Sequence, residues 1–290
     1  VGLLDYLVQF SADRKYEIEY EKSIALPLTN KEVEEFAKSL LLQTKGKEII
    51  PHDYQIKAIA HALRKQRCLL LSPTGSGKSL IIYALIRYYF DQLKDNEKIL
   101  IVVPTTGLVS QMYNDFRDYA GENWSVEKNC HVIFSGQDKN TQKKVVISTW
   151  QSIYKMPKEY FDSYKVVFGD ECHLFKAKSL TTLMTKLMDA DTRIGTTGTL
   201  DGTQVHKLVI EGLFGRVYNV TTTKSLMERK VLSNLQIDCL MLQYTDEEIQ
   251  EIKRARYIDE VRWIISHPRR NQFISKLCKN IKGNTLLLFN

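Results

Sequence analysis

From Ile49 onward, short runs of consecutive apolar residues alternate with stretches of helix length. The runs are CLLL at 68–71, ILIVV at 99–103, HVIF at 131–134, VVIS at 145–148, KVVF at 165–168 and RIGTT at 193–197. A strand that is apolar at nearly every position has both faces buried, and helices between such strands supply the crossovers that parallel pairing requires. The pattern predicts an α/β domain with a doubly wound parallel sheet. Ligands of such sheets bind beyond the carboxyl ends of the strands, so the residues after each run are the candidates for chemistry.

The flanks read differently. Residues 1–46 predict a helix over GLLDYLVQFSADR, a strand alternating on Tyr16, Ile18 and Tyr20, and a second helix over TNKEVEEFAKSLLL. Thr29 or Asn30 is placed to cap that second helix, and acidic residues fill its first turn. This is a small α+β accessory segment, expected to be the end of an N-terminal domain, with TKGKE as a linker. Residues 47–230 form the main domain. Residues 231–290 predict a β-like stretch to Tyr244 and a charged helical region, TDEEIQEIKRARYIDEVRWII, broken at His267-Pro268. A further helix and a last apolar run, TLLLF, then read as a linker and the truncated beginning of a second α/β domain.

Composition narrows this picture only a little. At 290 residues, 43% hydrophobic and 26% charged, the chain can fill a core and lacks the bias of a disordered segment. No apolar run approaches the roughly 18 residues of a membrane span and no signal peptide is visible, so the expectation is a cytoplasmic protein without a membrane partner. Five scattered cysteines and six histidines without ligand spacing predict free thiols and no structural metal. Val1 is not an initiator Met, which suggests a fragment. Residues 51–230 carry 25 basic and 18 acidic side chains, so the whole net charge of +7 is matched by the excess in the middle module. Such an excess favours a polyanionic partner without deciding for one.

The chemistry lies at two strand ends. SPTGSGKS, residues 72–79, follows a strand and opens a helix, and matches a phosphate-binding loop except that Ser72 stands where the strict pattern has glycine. Thr74, Gly75, Ser76 and Gly77 bring backbone N–H groups toward phosphate oxygens, Lys78 reaches the β and γ phosphates, and the Ser79 hydroxyl suits Mg²⁺. In KVVFGDECH an apolar strand delivers Asp170 and Glu171, one carboxylate for the magnesium and the other as a base for the attacking water. Thr105, Gln111 and Thr149 follow other strands, where hydroxyls, an amide and helix N-termini can hold phosphates without reading bases.

SPTGSGKS, GDECH and TTGTL, in that order, resemble motifs I, II and III of superfamily 2 helicases and translocases. PHDYQ resembles the upstream glutamine motif, VVPTTGLVSQ motif Ia, ISTWQSI motif Ic and TLLLFN the motif IV strand. The resemblance covers about residues 47–290, and within the DExH type it is narrower toward phage recombination helicases. It implies a RecA-like fold, ATP and Mg²⁺ as cofactors, and DNA, single-stranded or branched, as partner of a monomer acting in recombination and repair. It implies that Gln55 reads the adenine and that Asp170 holds magnesium while Glu171 activates water. His173, Thr197 and Thr199 would couple nucleotide state to nucleic-acid grip, and Gly136 would let the backbone approach the strand. Two alternatives stay open: a DExH RNA helicase, and a nucleotide-regulated nucleic-acid-binding module without motor activity.

The chain departs from the pattern in two places. Motif III reads TGT where SAT or TAT is commoner, which makes coupling through Gly198 less certain. Nothing in the 290 residues resembles motifs V and VI, the QxxGRxxR region whose arginines complete the ATP site. An arginine finger is worth about 10³ to 10⁵ in turnover, so this chain alone is expected to have little ATPase activity.

Overall fold

The computed structural model describes residues 2–20, 27–134, 136–174, 178–187, 189–200 and 204–288. They fall into two compact units, one up to Ser233 and one from Asn234 on.

The first unit is built on seven parallel strands: β3 (Arg67–Leu71), β4 (Lys98–Val103), β5 (Cys130–Ile133), β6 (Val145–Thr149), β7 (Tyr164–Gly169), β8 (Thr192–Thr197) and β9 (Val217–Asn219). Their order across the sheet is β5-β6-β4-β7-β8-β3-β9. The six strands expected from the apolar runs are all present, each within a residue of its expected ends. The seventh, VYN, is too short to carry a pattern of its own and is held by pairing with β3.

Burial follows the two-residue period of the strands. Cys68, Leu70, Ile99, Ile101, Val145, Ile147, Val166 and Phe168 pack on one face with Ile59, Tyr83 and Phe116. Those three belong to α3 (Asp53–Lys65), α4 (Lys78–Phe90) and α5 (Thr106–Ala120). Leu69, Leu100, Val102, Val146 and Val167 face the other way, onto Leu183 and Phe214. Those two belong to α8 (Lys178–Lys186) and α9 (Gln204–Phe214). Short helices α6 (Val126–Asn129) and α7 (Trp150–Ile153) lie on the β4–β5 and β6–β7 connections, and α10 (Thr223–Glu228) ends the unit. The approach of Phe214 to the sheet requires small residues: a Cβ on Gly195 would lie 2.7 Å from Leu69 and 3.0 Å from the Phe214 ring.

The N-terminal helices are α1 (Leu4–Arg14) and α2 (Asn30–Ser39). Thr29 caps α2 in a capping box: Glu32 N donates to Thr29 Oγ1 at 3.2 Å and Thr29 N donates to the Glu32 carboxylate at 2.7 Å. Val33, Ala37, Leu40 and Leu42 join the same core as α3, α4 and α5. Two expectations fail here. Residues 16–20 are irregular and exposed rather than a strand, because no described strand is there to pair with them; residues 21–26 lie outside the described residues. TKGKE is not a loose linker but the turn of a hairpin, β1 (Gln43–Thr44) with β2 (Lys47–Glu48). Lys45 and Gly46, both at positive φ, make its two-residue turn.

The second unit holds α11 (Asp246–Ile252), α12 (Tyr257–Ser266) and α13 (Pro268–Asn280). The charged helical region is thus two helices, and the break at His267-Pro268 stands, with Pro268 opening α13. Neither expected strand forms among the described residues: 234–244 and 284–288 have no regular structure, and Phe289 and Asn290 lie outside the described residues. An apolar run becomes a strand only beside a partner, and this unit offers none.

Candidate functional site

The phosphate loop runs from the end of β3 into α4. Gly75 and Gly77 take φ of 80° and 81°, the left-handed region that glycine enters without a Cβ penalty. The departure at Ser72 has a structural role. The Ser76 hydroxyl donates to Pro73 O at 2.6 Å, which leaves Ser72 Oγ to donate across the loop to Ser76 Oγ at 2.6 Å. Both serines are buried, so the loop is stapled internally where the stricter pattern relies on glycine.

Beneath the loop, α3 provides a second support. Tyr54 OH and Gln55 Nε2 donate to Ser76 O at 3.2 and 2.9 Å, while Gln55 Oε1 accepts from His52 N at 2.8 Å. Gln55 is therefore buried with its amide committed to the loop and to the start of α3. Each end of its amide thus has one backbone partner, with one further donor position and one further acceptor position beyond them. Ser76 turns its side chain inward, while the nucleotide contact expected of it is through the backbone.

A cleft of about 480 Å³ opens beside the loop, and its lining includes Thr74, Gly75, Gly77, Lys78, Ser79, Asp170 and Glu171. The expected lysine, hydroxyl and carboxylates thus meet at one place, at the carboxyl ends of β3 and β7. Lys78 Nζ lies 3.4 Å from Glu171 Oε1 and donates to Ser72 O at 3.4 Å. Asp170 is buried, its N–H donating to Val102 O at 2.9 Å and its carboxylate accepting from the Thr196 hydroxyl at 2.6 Å. Burial pushes its pKa up, against the Thr196 hydrogen bond, and Glu171 adds to the rise while Lys78 opposes it. Glu171 itself has φ of 50°, an uncommon conformation for a residue with a long side chain, which costs about 1–2 kcal/mol.

Motifs II and III are linked through His173. Thr197 donates its hydroxyl proton to Thr199 O at 2.8 Å, so its oxygen can only accept from His173 Nδ1, 3.0 Å away. That places a proton on Nδ1, which also lies 3.4 Å from Glu171 Oε2. The three expected coupling residues therefore form one chain of contacts ending on Glu171. The packing around Gly198 does not require glycine: a Cβ there would stand 3.5 Å from Lys78 Nζ and 3.7 Å from Ser72 O, ordinary contact distances.

The expected nucleic-acid residues are divided. Thr105 caps α5, its hydroxyl accepting from Leu108 N at 3.3 Å, and stays exposed. Gly136 takes φ of 84° with open space around its α-carbon, as a backbone contact would need. Thr149 is buried and paired with Ser152 Oγ at 2.8 Å, so its hydroxyl is not offered at the surface as expected. Gln111 lines the phosphate-loop cleft instead of a separate nucleic-acid surface. Two residues of the same helix were not anticipated at all. Asp115 lines the cleft, and Tyr119 OH lies 2.9 Å from Ser79 Oγ. The signal was the four-residue spacing from Gln111, which puts all three on one stripe of α5.

Thr74, the glycine amides, Lys78 and the paired acids suit a magnesium-bound polyphosphate, with Ser79 and Asp170 as the oxygen donors for the cation. Comparison with known proteins gives the family. The family described as "Type III restriction enzyme, res subunit" matches residues 48–202, more than half of the chain. The ATP-dependent DNA helicase uvsW of Enterobacteria phage T4 is 35% identical over 251 residues, 86% of this chain and 50% of the relative. The DNA 3'-5' translocase XPB2 of Sulfurisphaera tokodaii is 24% identical over 196 residues, 68% of this chain and 41% of the relative. The crystal structure of T4 UvsW superposes with a TM-score of 0.69 at 31% identity, covering 95% of this chain and 54% of that one. The chain thus spans about half the length or less of the curated relatives it matches. With its RecA-like sheet, its phosphate loop and its DECH strand end, the chain belongs to the type III restriction enzyme res-subunit family, among the superfamily 2 helicases.

Proposed function

We propose that the chain is the nucleotide-binding part of an ATP-dependent DNA helicase or translocase that acts on branched or single-stranded DNA in recombination and repair, in the cytoplasm of the cell that houses it. The observation that carries the proposal is the meeting of Lys78, Ser79, Asp170 and Glu171 around one cleft at the carboxyl edge of the sheet. The relatives, an ATP-dependent DNA helicase and a DNA translocase, support DNA as the partner.

In this reading the amides of residues 74–77 and the Lys78 ammonium bind the phosphates, while Ser79 and Asp170 hold Mg²⁺. The bound cation neutralises charge on the phosphate oxygens. Glu171, 3.4 Å from Lys78 Nζ, orients water and accepts its proton. His173, bonded to Thr197 and next to Glu171, passes the state of the site to motif III. Thr105 and Gly136, after β4 and β5 on the carboxyl edge of the sheet, hold the DNA backbone. With no arginine-bearing sixth motif in its sequence, the chain alone turns ATP over slowly.

The test is ATP hydrolysis by a polypeptide of the relatives' full length, measured with forked DNA, single-stranded DNA, RNA and no nucleic acid. Stimulation by DNA, strongest with forked DNA, is expected, and Glu171→Gln should stop turnover. Preference for RNA, or the same rate with and without nucleic acid, would overturn the assignment of partner and motor.

A further inference from the structure

Helix α5 brings side chains to the cleft that no phosphate-loop motif accounts for. Gln111, Asp115 and Tyr119 follow one another at four-residue spacing and so share a stripe of the helix. Gln111 and Asp115 line the cleft that contains Ser79, and Tyr119 OH lies 2.9 Å from Ser79 Oγ. We propose that Asp115 and Tyr119, one helical turn apart, are positioning residues that set the Ser79 hydroxyl in the orientation a divalent cation needs. The inference rests on the nucleotide reading of the same cleft and adds two residues to it.

The physical argument starts from the hydroxyl. It has one proton to donate and two lone pairs to offer. A cation can take a lone pair only if the proton points elsewhere. Asp115 lines the same cleft as Ser79, and a carboxylate is the strongest acceptor available there for that proton. Tyr119, as donor, occupies one lone pair. The remaining lone pair is then free for a cation held with Asp170.

The stripe is also held in place. Thr105 caps the amino end of α5. Near the other end, Asp118 accepts from the Thr44 hydroxyl at 2.6 Å and from Lys45 N at 2.7 Å, tying α5 to the β1–β2 hairpin. Met112 and Phe116, buried on the inner face of the helix, fix its rotation. A hydroxyl oriented by a rigid helix costs less to organise when the cation arrives.

The experiment measures the affinity of the 290-residue chain for fluorescent N-methylanthraniloyl-ADP in Mg²⁺ and in EDTA. The readout is the ratio of the two affinities, together with the unfolding temperature. Asp115→Asn and Tyr119→Phe, both close in shape to the native residues, should each lower the ratio about three- to tenfold, the loss expected for one hydrogen bond. Affinity in EDTA and the unfolding temperature should stay as in the wild type. A ratio that matches the wild type in both variants would overturn the inference, as would equal losses with and without Mg²⁺, which would mark the residues as purely structural. A wild-type chain that binds no ADP in either buffer would overturn the nucleotide reading itself, and this inference with it.

Discussion

KILIVV at 98–103 and LQIDCLML at 235–242 carry similar amounts of apolar side chain and end in opposite states. The first lies between β6 and β7, and Ile99 to Val103 are fully buried. In the second, Leu235, Ile237, Leu240 and Met241 are 58–88% exposed and no strand forms. Intrinsic strand preference favours the first, which has four β-branched residues to the second's one, but that scale spans only about 1 kcal/mol. What differs is the presence of neighbouring strands to pair with and helices to cover both faces, which supply both the hydrogen bonds and most of the buried area.

The largest test of this contrast is a pair of truncations. Phe168→Ala, in the middle of the sheet, should destabilise the chain by about 3–5 kcal/mol through the cavity it leaves. Met241→Ala, at a residue 88% exposed, should change stability by less than about 0.5 kcal/mol. Urea unfolding followed by circular dichroism measures both, and equal effects would break the distinction.

A finer version compares two glycines of one strand end. Gly195→Ala places a methyl 2.7 Å from Leu69 and 2.8 Å from Cys172 Sγ, an overpacking worth about 1–3 kcal/mol. Gly198→Ala meets nothing closer than 3.5 Å and should be nearly neutral in the same measurement. A large loss at 198 would mean that motif III needs glycine after all.

A third test is a pH dependence in the first unit. His61 stacks on Tyr218 at 4.0 Å, and burial together with Lys65 and Arg64 pushes its pKa down from 6.5 to about 4. The unfolded chain therefore binds a proton that the folded chain refuses between those values. Stability from this group is complete above pH 6.5 and falls as pH drops toward 4. His61→Phe should flatten that part of the stability profile, and an unchanged slope would remove the explanation.

What the sequence made legible was what is local. Each strand of four or more residues could be placed, as could the loop at 72–79 and the acids at 170 and 171, because each is carried by residues adjacent in the chain. The strand Val217–Asn219 was not legible, since three residues have no pattern and depend on β3. The hairpin at 43–48 was hidden because Lys45-Gly46 replaces the usual Asn-Gly signal. Packing decided the rest. The inward turn of Gln55, the burial of Thr149 and the arrival of Asp115 and Tyr119 at Ser79 all depend on how α3, α5 and α7 lie against the sheet. The positive φ of Glu171 belongs to the same group: a strained carboxylate cannot be read from its neighbours in the chain.

The central claim is that Lys78 and the acids at 170 and 171 act on one magnesium-bound nucleotide. Equilibrium binding of fluorescent ADP with Mg²⁺ to the wild type, Lys78→Ala and Glu171→Gln tests it most directly. The account predicts that Lys78→Ala loses at least about tenfold in affinity, the loss of a charge-assisted phosphate contact, with its unfolding temperature unchanged, while Glu171→Gln keeps its affinity. Wild-type affinity in the Lys78→Ala chain would contradict it.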